Sequence, residues 1–204
     1  FAVSPSVLVP RPETELMVDL GRERLRGREA PRVADVGTGS GCLAITLALE
    51  HPSARVRAVD LSAVALEQAR ANAAALGAEV EWVEGDGPEA LADGRPYELV
   101  VSNPPYVRPE ELAGLEPEVR DWEPRSALLL PQTDPEHWLR RLLRAGLDLL
   151  APDGALLVEL GADQGERALV LAGELGLPAR LHADLAGVQR VLEASPAPSW
   201  RASS

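Results

Sequence analysis

The chain has 204 residues, 46% hydrophobic and 25% charged, enough for one well-buried α/β domain with at most a small appendage. No run approaches ~18 consecutive apolar residues, which excludes a transmembrane helix, and the opening Phe1-Ala2-Val3-Ser4 lacks the basic start and apolar core of a secretory signal, so the expected location is the cytoplasm. The 20 cations, all Arg, are scattered among 32 acids for a net charge of −12, with no basic stripe; direct nucleic-acid binding is not expected.

In chain order, the first segment runs Val7-Leu8-Val9-Pro10-Arg11-Pro12-Glu13-Thr14-Glu15, stiffened by prolines, and continues as a helix to Leu25. It serves either as a lid or pocket wall, or as a solvated connector, within a flanking segment of residues 1–30. The domain proper is expected over 31–194. Arg32–Val36 reads as a buried strand, Gly37–Gly41 as a turn and Cys42–Leu49 as a helix closed near Pro52. Val56–Asp60 is the second strand. Ser62 is a natural N-cap for an Ala-rich helix over Ala63–Leu76, with Gly77 as its stop.

Glu79–Val83 alternates like a strand, and Tyr97–Ser102 is a fourth that runs straight into Asn103. Asp134-Pro135 opens a helix with Trp138, Leu142, Ala145 and Leu149 on one face. Asp153-Gly154 turns into a strand over Ala155–Leu160, and a helix covers about Gln164–Leu175. Ala179–Ala183 and Val188–Ala194 are joined closely enough to form an antiparallel hairpin. The sum is an α/β protein with five parallel strands and a terminal hairpin, seven strands in all. A plain Rossmann domain lacks that reversed strand. The tail, 195–204, is Pro/Ser/Ala-rich and expected to be disordered. The chain opens without Met in a strand-like run, which suggests that an upstream part is missing.

Cys42 is the only cysteine and reads as a packing residue. His51, His137 and His182 share no ligand spacing, so no metal site is expected.

Two clusters carry chemistry. Gly37-Thr38-Gly39-Ser40-Gly41 follows a strand and opens a helix, where glycines permit positive φ and free N–H groups favour polar ligand groups. Asp60, 19 residues beyond Gly41, ends the second strand and is placed to accept ribose hydroxyls. A dinucleotide fingerprint would require glycine at Cys42. Asp86, followed by Gly87, either receives an adenine amino group or forms the Gly-Asp-Gly turn.

The second cluster is Asn103-Pro104-Pro105-Tyr106 at the end of the fourth strand. Two prolines suffice to end a strand but explain neither the Asn before them nor the Tyr behind. An sp² NH₂ is a poor nucleophile because its lone pair is delocalised. The Asn103 side-chain oxygen and the Pro104 carbonyl can accept its two N–H bonds and hold the nitrogen in line with a sulfonium methyl. Tyr106 can lie against the flat substrate.

The tetrapeptide occurs in methyltransferases of glutamine and of exocyclic base amines. Joined to Pro10–Glu15, Gly37–Gly41, Glu123-Pro124, Ala127-Leu128 and Asp184–Val191, it resembles the bacterial peptide chain release factor glutamine methyltransferases (HemK/PrmC family) over about Phe1 to Glu193. The resemblance implies a class I S-adenosylmethionine-dependent methyltransferase (Rossmann-like) fold. It implies transfer of methyl to the glutamine amide in the Gly-Gly-Gln motif of class 1 release factors, leaving S-adenosylhomocysteine, without a metal. Alternatives are a nucleic-acid base amine or a ribosomal-protein glutamine. Carried over by position, Gly37, Thr38, Gly39, Ser40, Gly41, Asp60 and Asn103 contact the methyl donor, joined by Asp86 and Gly87 as candidates. Asn103, Pro104, Pro105 and Tyr106 hold the glutamine, with Asn103, Pro104 and Tyr106 as catalytic candidates. Family members often carry an aromatic where Gly87 stands, and an N-terminal helical domain that this chain is expected to lack.

Overall fold

The computed structural model describes residues 1–131 and 134–197. Seven strands form one sheet: β1 (Arg32–Val36), β2 (Arg55–Asp60), β3 (Glu81–Glu84), β4 (Tyr97–Ser102), β5 (Leu150–Glu159), β6 (Ala179–Ala183) and β7 (Gln189–Ala194). Their spatial order is β3-β2-β1-β4-β5-β7-β6, with β7 antiparallel to both neighbours. This is the five-plus-hairpin arrangement expected from the sequence.

Alternation along the central strands sends side chains to two apolar layers, as a sheet covered on both faces requires. Val33, Leu99, Val101, Ala155 and Leu157 pack with Met17 and Leu25 of α1 (Glu15–Leu25) and with Leu43, Ala44 and Leu47 of α2 (Cys42–Glu50). Ala34, Val100, Leu156 and Val158 face the other way, onto Leu142, Leu143 and Leu147 and onto Ala168, Leu171 and Ala172 of the Gly165–Glu174 helix.

The chain enters the sheet at β1, moves outward to β3, then returns to lay β4 on the opposite side of β1. That reversal puts Val36 and Ser102 side by side in register, tied by a 2.8 Å hydrogen bond from the Ser102 hydroxyl to the Val36 carbonyl. The glycine loop and Asn103 therefore leave the sheet together at its carboxyl edge. This switch point is where open α/β sheets bind ligands.

Helix α3 spans Ala63–Leu76 as read from its caps; Ser62 Oγ accepts from Ala65 N and Gly77 is left-handed at φ 73°. Three segments differ from expectation. The Asp134-Pro135 helix begins later, as α4 and α5 (Pro117–Trp122 and Arg125–Leu128) are followed by α6 (His137–Arg141), which widens into a π-helical turn over Leu142–Gly146. Asp134 does not cap α6; its carboxylate accepts Glu136 N at 3.0 Å in a turn that precedes the helix, whose N-cap is Glu136. Asp153-Gly154 makes no separate turn: Tyr97 pairs with Leu150 but Leu99 with Ala155, so the extra residues are absorbed as an irregularity within β5.

The opening residues are not a strand. Asn72 instead offers its amide as a substitute backbone, accepting Ala2 N at 3.0 Å and donating to Ala2 O at 2.9 Å. At the other end, Ser195 N donates to Pro178 O at 3.1 Å and Pro196 is buried. The rest of the expected tail, 198–204, lies outside the described residues. Among the described residues, no helix is long and apolar enough to cross a membrane.

Candidate active site

The turn after β1 is built by backbone bonds to its neighbour strand: Gly37 N and Thr38 N both donate to Val59 O, at 2.9 and 3.0 Å. Gly37, Gly39 and Gly41 have φ of 73°, 55° and 81°. Gly41 needs glycine twice over. A Cβ there would lie 2.9 Å from Ile45, 3.1 Å from Ala69 and 3.1 Å from Trp82, as well as in a left-handed conformation. Beyond Gly37 and Gly39, by contrast, the space is open within 4 Å.

Asp60 holds the loop and the start of α3 at once. Its Oδ2 accepts Gly39 N at 2.8 Å and its Oδ1 accepts Ser62 N at 2.9 Å. Each oxygen keeps a lone pair for a further donor. Asp35, one turn deeper, accepts the Thr38 hydroxyl at 2.6 Å and Ala44 N at 3.2 Å, both on Oδ2. Its Oδ1 is buried with no protein partner. Burial pushes this carboxyl up to about 7, against the pull of the Thr38 and Ala44 hydrogen bonds.

Gly37, Thr38, Gly39, Ser40, Asp60, Asp86, Gly87, Asn103, Pro104 and Pro105 all line one cavity of about 240 Å³. Asp35, Arg11, Thr14 and Trp138 line it as well, and so do Val7 and Pro10, which makes the upstream segment one of its walls. Two expected residues lie outside this lining. Gly41 sits behind the loop, and Tyr106 faces a second cavity of about 280 Å³ that shares Pro104, Pro105 and Trp138 with the first. The tetrapeptide is thus a partition between two hollows. Its exit is pinned by Val107, which donates to Leu128 O at 2.9 Å and accepts from Leu130 N at 2.8 Å.

Asp86 is not a free acceptor. Arg141 pairs with its carboxylate at 2.9 Å, donates to its carbonyl at 2.7 Å and reaches Glu89 at 2.9 Å. The same guanidinium lies over Gly87, where a Cβ would come within 2.5 Å of Cζ. It also sits 5.4 Å from the Trp138 ring centroid. An adenine amino group would therefore share Asp86 with Arg141. Cys42 is half-buried, and burial pushes its thiol up to about 11, consistent with packing rather than nucleophilic chemistry.

Sequence reading missed Asp35, Thr14, Glu159 and Trp138. Asp35 carried a signal, since it immediately precedes the glycine loop; the others are brought in from remote segments. Among the described residues no group of three or more His, Cys, Asp or Glu could hold a metal ion.

A seven-stranded sheet with one reversed strand, a glycine loop tied to an acid on β2, and a polar strand end at the switch point define a class I S-adenosylmethionine-dependent methyltransferase. Residues 14–114 match the model of the methyltransferase small domain. Release factor glutamine methyltransferase of Bordetella pertussis is 45% identical over 94% of this chain and 70% of its own length. That of Chlorobaculum tepidum is 46% identical over 85% of this chain and 62% of its own. The solved release factor-specific protein-(glutamine-N5) methyltransferase of Alicyclobacillus acidocaldarius is 30% identical, with a TM-score of 0.58 over 95% of this chain and 98% of that one. The chain belongs to the release factor glutamine methyltransferase family.

Proposed function

We infer that this chain transfers a methyl group from S-adenosylmethionine to the side-chain amide nitrogen of the glutamine in the Gly-Gly-Gln motif of class 1 release factors. Family membership carries the reading, and the position of Asn103 beside the glycine loop at the switch point supports it. Residues 31–194 would be the catalytic unit and 1–30 a wall of its cavity, working in the cytoplasm where release factors act.

The residues present fit the methyl donor. The open space over Gly37 and Gly39 admits close approach, with Thr38, Ser40 and the turn at Gly41 shaping the loop. The orphaned Asp35 Oδ1 suits an ammonium, the spare lone pairs of Asp60 suit ribose hydroxyls, and Asp86 with Gly87 closes the adenine end. When bound, S-adenosylmethionine supplies an electrophilic methyl on a sulfonium, chemistry that needs no metal.

Asn103 Oδ1 and the Pro104 carbonyl accept the two N–H bonds of the glutamine NH₂. They aim its nitrogen and favour the transition state in which positive charge grows there. After attack the surplus proton leaves the nitrogen, and these two oxygens are its first acceptors. Pro104 is buried and Pro105 follows it, so the carbonyl between them is fixed in place. Tyr106 supports the tetrapeptide from the second cavity and lies against the planar amide.

The test is transfer of labelled methyl from S-adenosylmethionine to purified release factor, ribosomal protein, DNA and RNA. Label is expected on the release factor and absent when its Gly-Gly-Gln glutamine is replaced. Label on nucleic acid alone would overturn the substrate reading.

A further inference from the structure

Beneath Asn103 lies a buried polar relay that nothing in the reaction described so far uses. Glu159 ends β5 beside the end of β4, and is 2% exposed. The Thr14 hydroxyl donates to Glu159 Oε2 at 2.7 Å, and Asn103 Nδ2 donates to Thr14 Oγ1 over a long 3.4 Å. Asn103 also favours the charged form of Glu159, in the same sense as Thr14.

Thr14 closes the 3-10 turn Pro12–Thr14 that runs straight into α1, with helical backbone angles of φ −68° and ψ −18°. Its hydroxyl is not needed as a helix cap and is turned to Glu159. A carboxylate buried at a strand end is costly unless its lone pairs are used. Burial pushes the Glu159 carboxyl up, the hydrogen bond from Thr14 and the Asn103 amide draw it back, and Glu13 and Arg190 act in opposite senses from either side.

Counting protons shows what an acidic residue does here that another would not. A carboxylate only accepts. The Thr14 hydroxyl has one proton, and giving it to Glu159 leaves only lone pairs toward Asn103. Lone pairs can be met by the NH₂ of Asn103 and not by its carbonyl oxygen. An Asn amide is nearly symmetric in shape, so packing alone does not choose between its two orientations. The relay does choose.

We propose that Glu159, acting through Thr14, is a positioning residue that locks the Asn103 amide with its oxygen facing the substrate NH₂. This rests on the reading of Asn103 as the acceptor for the glutamine amide. A flipped Asn103 would present a donor to a donor, so the correct substrate would be repelled at the reacting atom. The Pro10–Glu15 segment thereby acquires a function: it brings to the site, across 89 residues of chain, the hydroxyl that orients Asn103.

The experiment measures kcat and KM on release factor, together with S-adenosylmethionine affinity by calorimetry, for Thr14→Val, Thr14→Ser, Glu159→Gln and Asn103→Ala. Thr14→Val and Glu159→Gln should each lower kcat by roughly 10- to 100-fold, the scale of losing one preorganised hydrogen bond, while cofactor affinity stays within about threefold. Thr14→Ser keeps the hydroxyl and should recover most of the turnover. Asn103→Ala should cost much less in the Thr14→Val background than alone, because the first change has already disordered the group that the second removes.

Wild-type turnover in Thr14→Val with Asn103→Ala crippled would overturn the relay and leave the acceptor reading standing. Unchanged turnover in Asn103→Ala would overturn the acceptor reading, and the relay with it. Additive losses, or a Thr14→Ser variant as impaired as Thr14→Val, mean that Thr14 only packs. Should Thr14→Val melt below the assay temperature, the near-isosteric Glu159→Gln and its combination with Asn103→Ala decide the matter by the same criteria.

Discussion

Arg11 and Glu123, 112 residues apart in the chain, meet at 2.6 Å beside the cavity that Arg11 and Pro124 both line. The contact ties the upstream wall to the loop that follows the tetrapeptide. Glu123 is 8% exposed, so removing its partner strands a buried carboxylate. Arg11→Ala should cost about 1–3 kcal/mol, the partly exposed Arg keeping it below a fully buried pair, and weaken cofactor binding by loosening one wall. Thermal melts and calorimetry check this. An unaltered melting point with unaltered affinity would mean that the ion pair holds nothing.

Asp60 is expected to act on affinity more than on turnover. Losing hydrogen bonds from ribose hydroxyls to a charged acceptor costs about 1.5–3 kcal/mol, so Asp60→Ala should weaken S-adenosylmethionine by roughly 10- to 100-fold. Asp60 also accepts Gly39 N and Ser62 N, so some loss of stability should accompany it. Calorimetric titration of the variant reads the first effect and a denaturant melt the second.

Asn103→Ala should cut turnover by roughly two or more orders of magnitude while sparing cofactor affinity, because the group lost acts on the reacting nitrogen. Single-turnover methyl transfer at saturating cofactor measures it. Near-normal rates would remove Asn103 from the chemistry.

Much of this site was legible because its parts sit at strand ends. Gly37–Ser40, Asp60 and Asn103 each follow an apolar run directly, so locating the strand located the residue. Ser62 and Gly77 likewise fixed both ends of α3, since an N-cap hydroxyl and a left-handed glycine are local requirements. What was not legible depends on distant pairing. Thr14 and Glu159 are 145 residues apart, and no pattern in either segment announces the other. The π-helical turn over Leu142–Gly146 escaped notice because its apolar spacing also suits an α-helix. The irregularity in β5 is set by pairing with Tyr97 and Leu99, not by its own residues.

Asp35 gives the stability a pH dependence with a definite sign. Its folded value of about 7 lies above the ordinary carboxylate range, so between the two the folded state binds the extra proton. Stability from this group therefore falls as pH rises from about 4 to about 7 and is level above that. Asp35→Asn should remove this component, so the gap between urea midpoints of variant and wild type should change between about pH 4 and about pH 7 and stay constant above that. Parallel curves across that window would refute the assignment. An ammonium bound against Asp35 Oδ1 favours the carboxylate, so S-adenosylmethionine should bind more tightly above about pH 7 in the wild type, and the variant should lose that trend.

Gly41 and Gly27 share a positive φ, 81° and 75°, but differ in surroundings. A Cβ at Gly27 meets nothing within 4 Å, whereas one at Gly41 meets Ile45, Ala69 and Trp82. Gly27→Ala should cost only backbone strain, about 1 kcal/mol, and Gly41→Ala about 2–4 kcal/mol because overpacking adds to it. Paired thermal melts compare them directly, and equal losses would show that crowding at the loop is relieved without cost.

The guanidinium of Arg141 over Gly87 constrains the order in which this protein can change. Any side chain at position 87 must evict Arg141, and eviction breaks its pairs with Asp86 and Glu89 together. Shortening Arg141 first vacates the space at the cost of two exposed ion pairs, a small loss. The two positions therefore form a sequential gate that opens only in part: changing Arg141 relieves the clash, while the Gly87 backbone, at φ 73° and ψ −169°, still strains any side chain placed there. A lineage that carries an aromatic at 87 must give up both this arginine pose and this backbone conformation, and passage between the two states runs through 141 first.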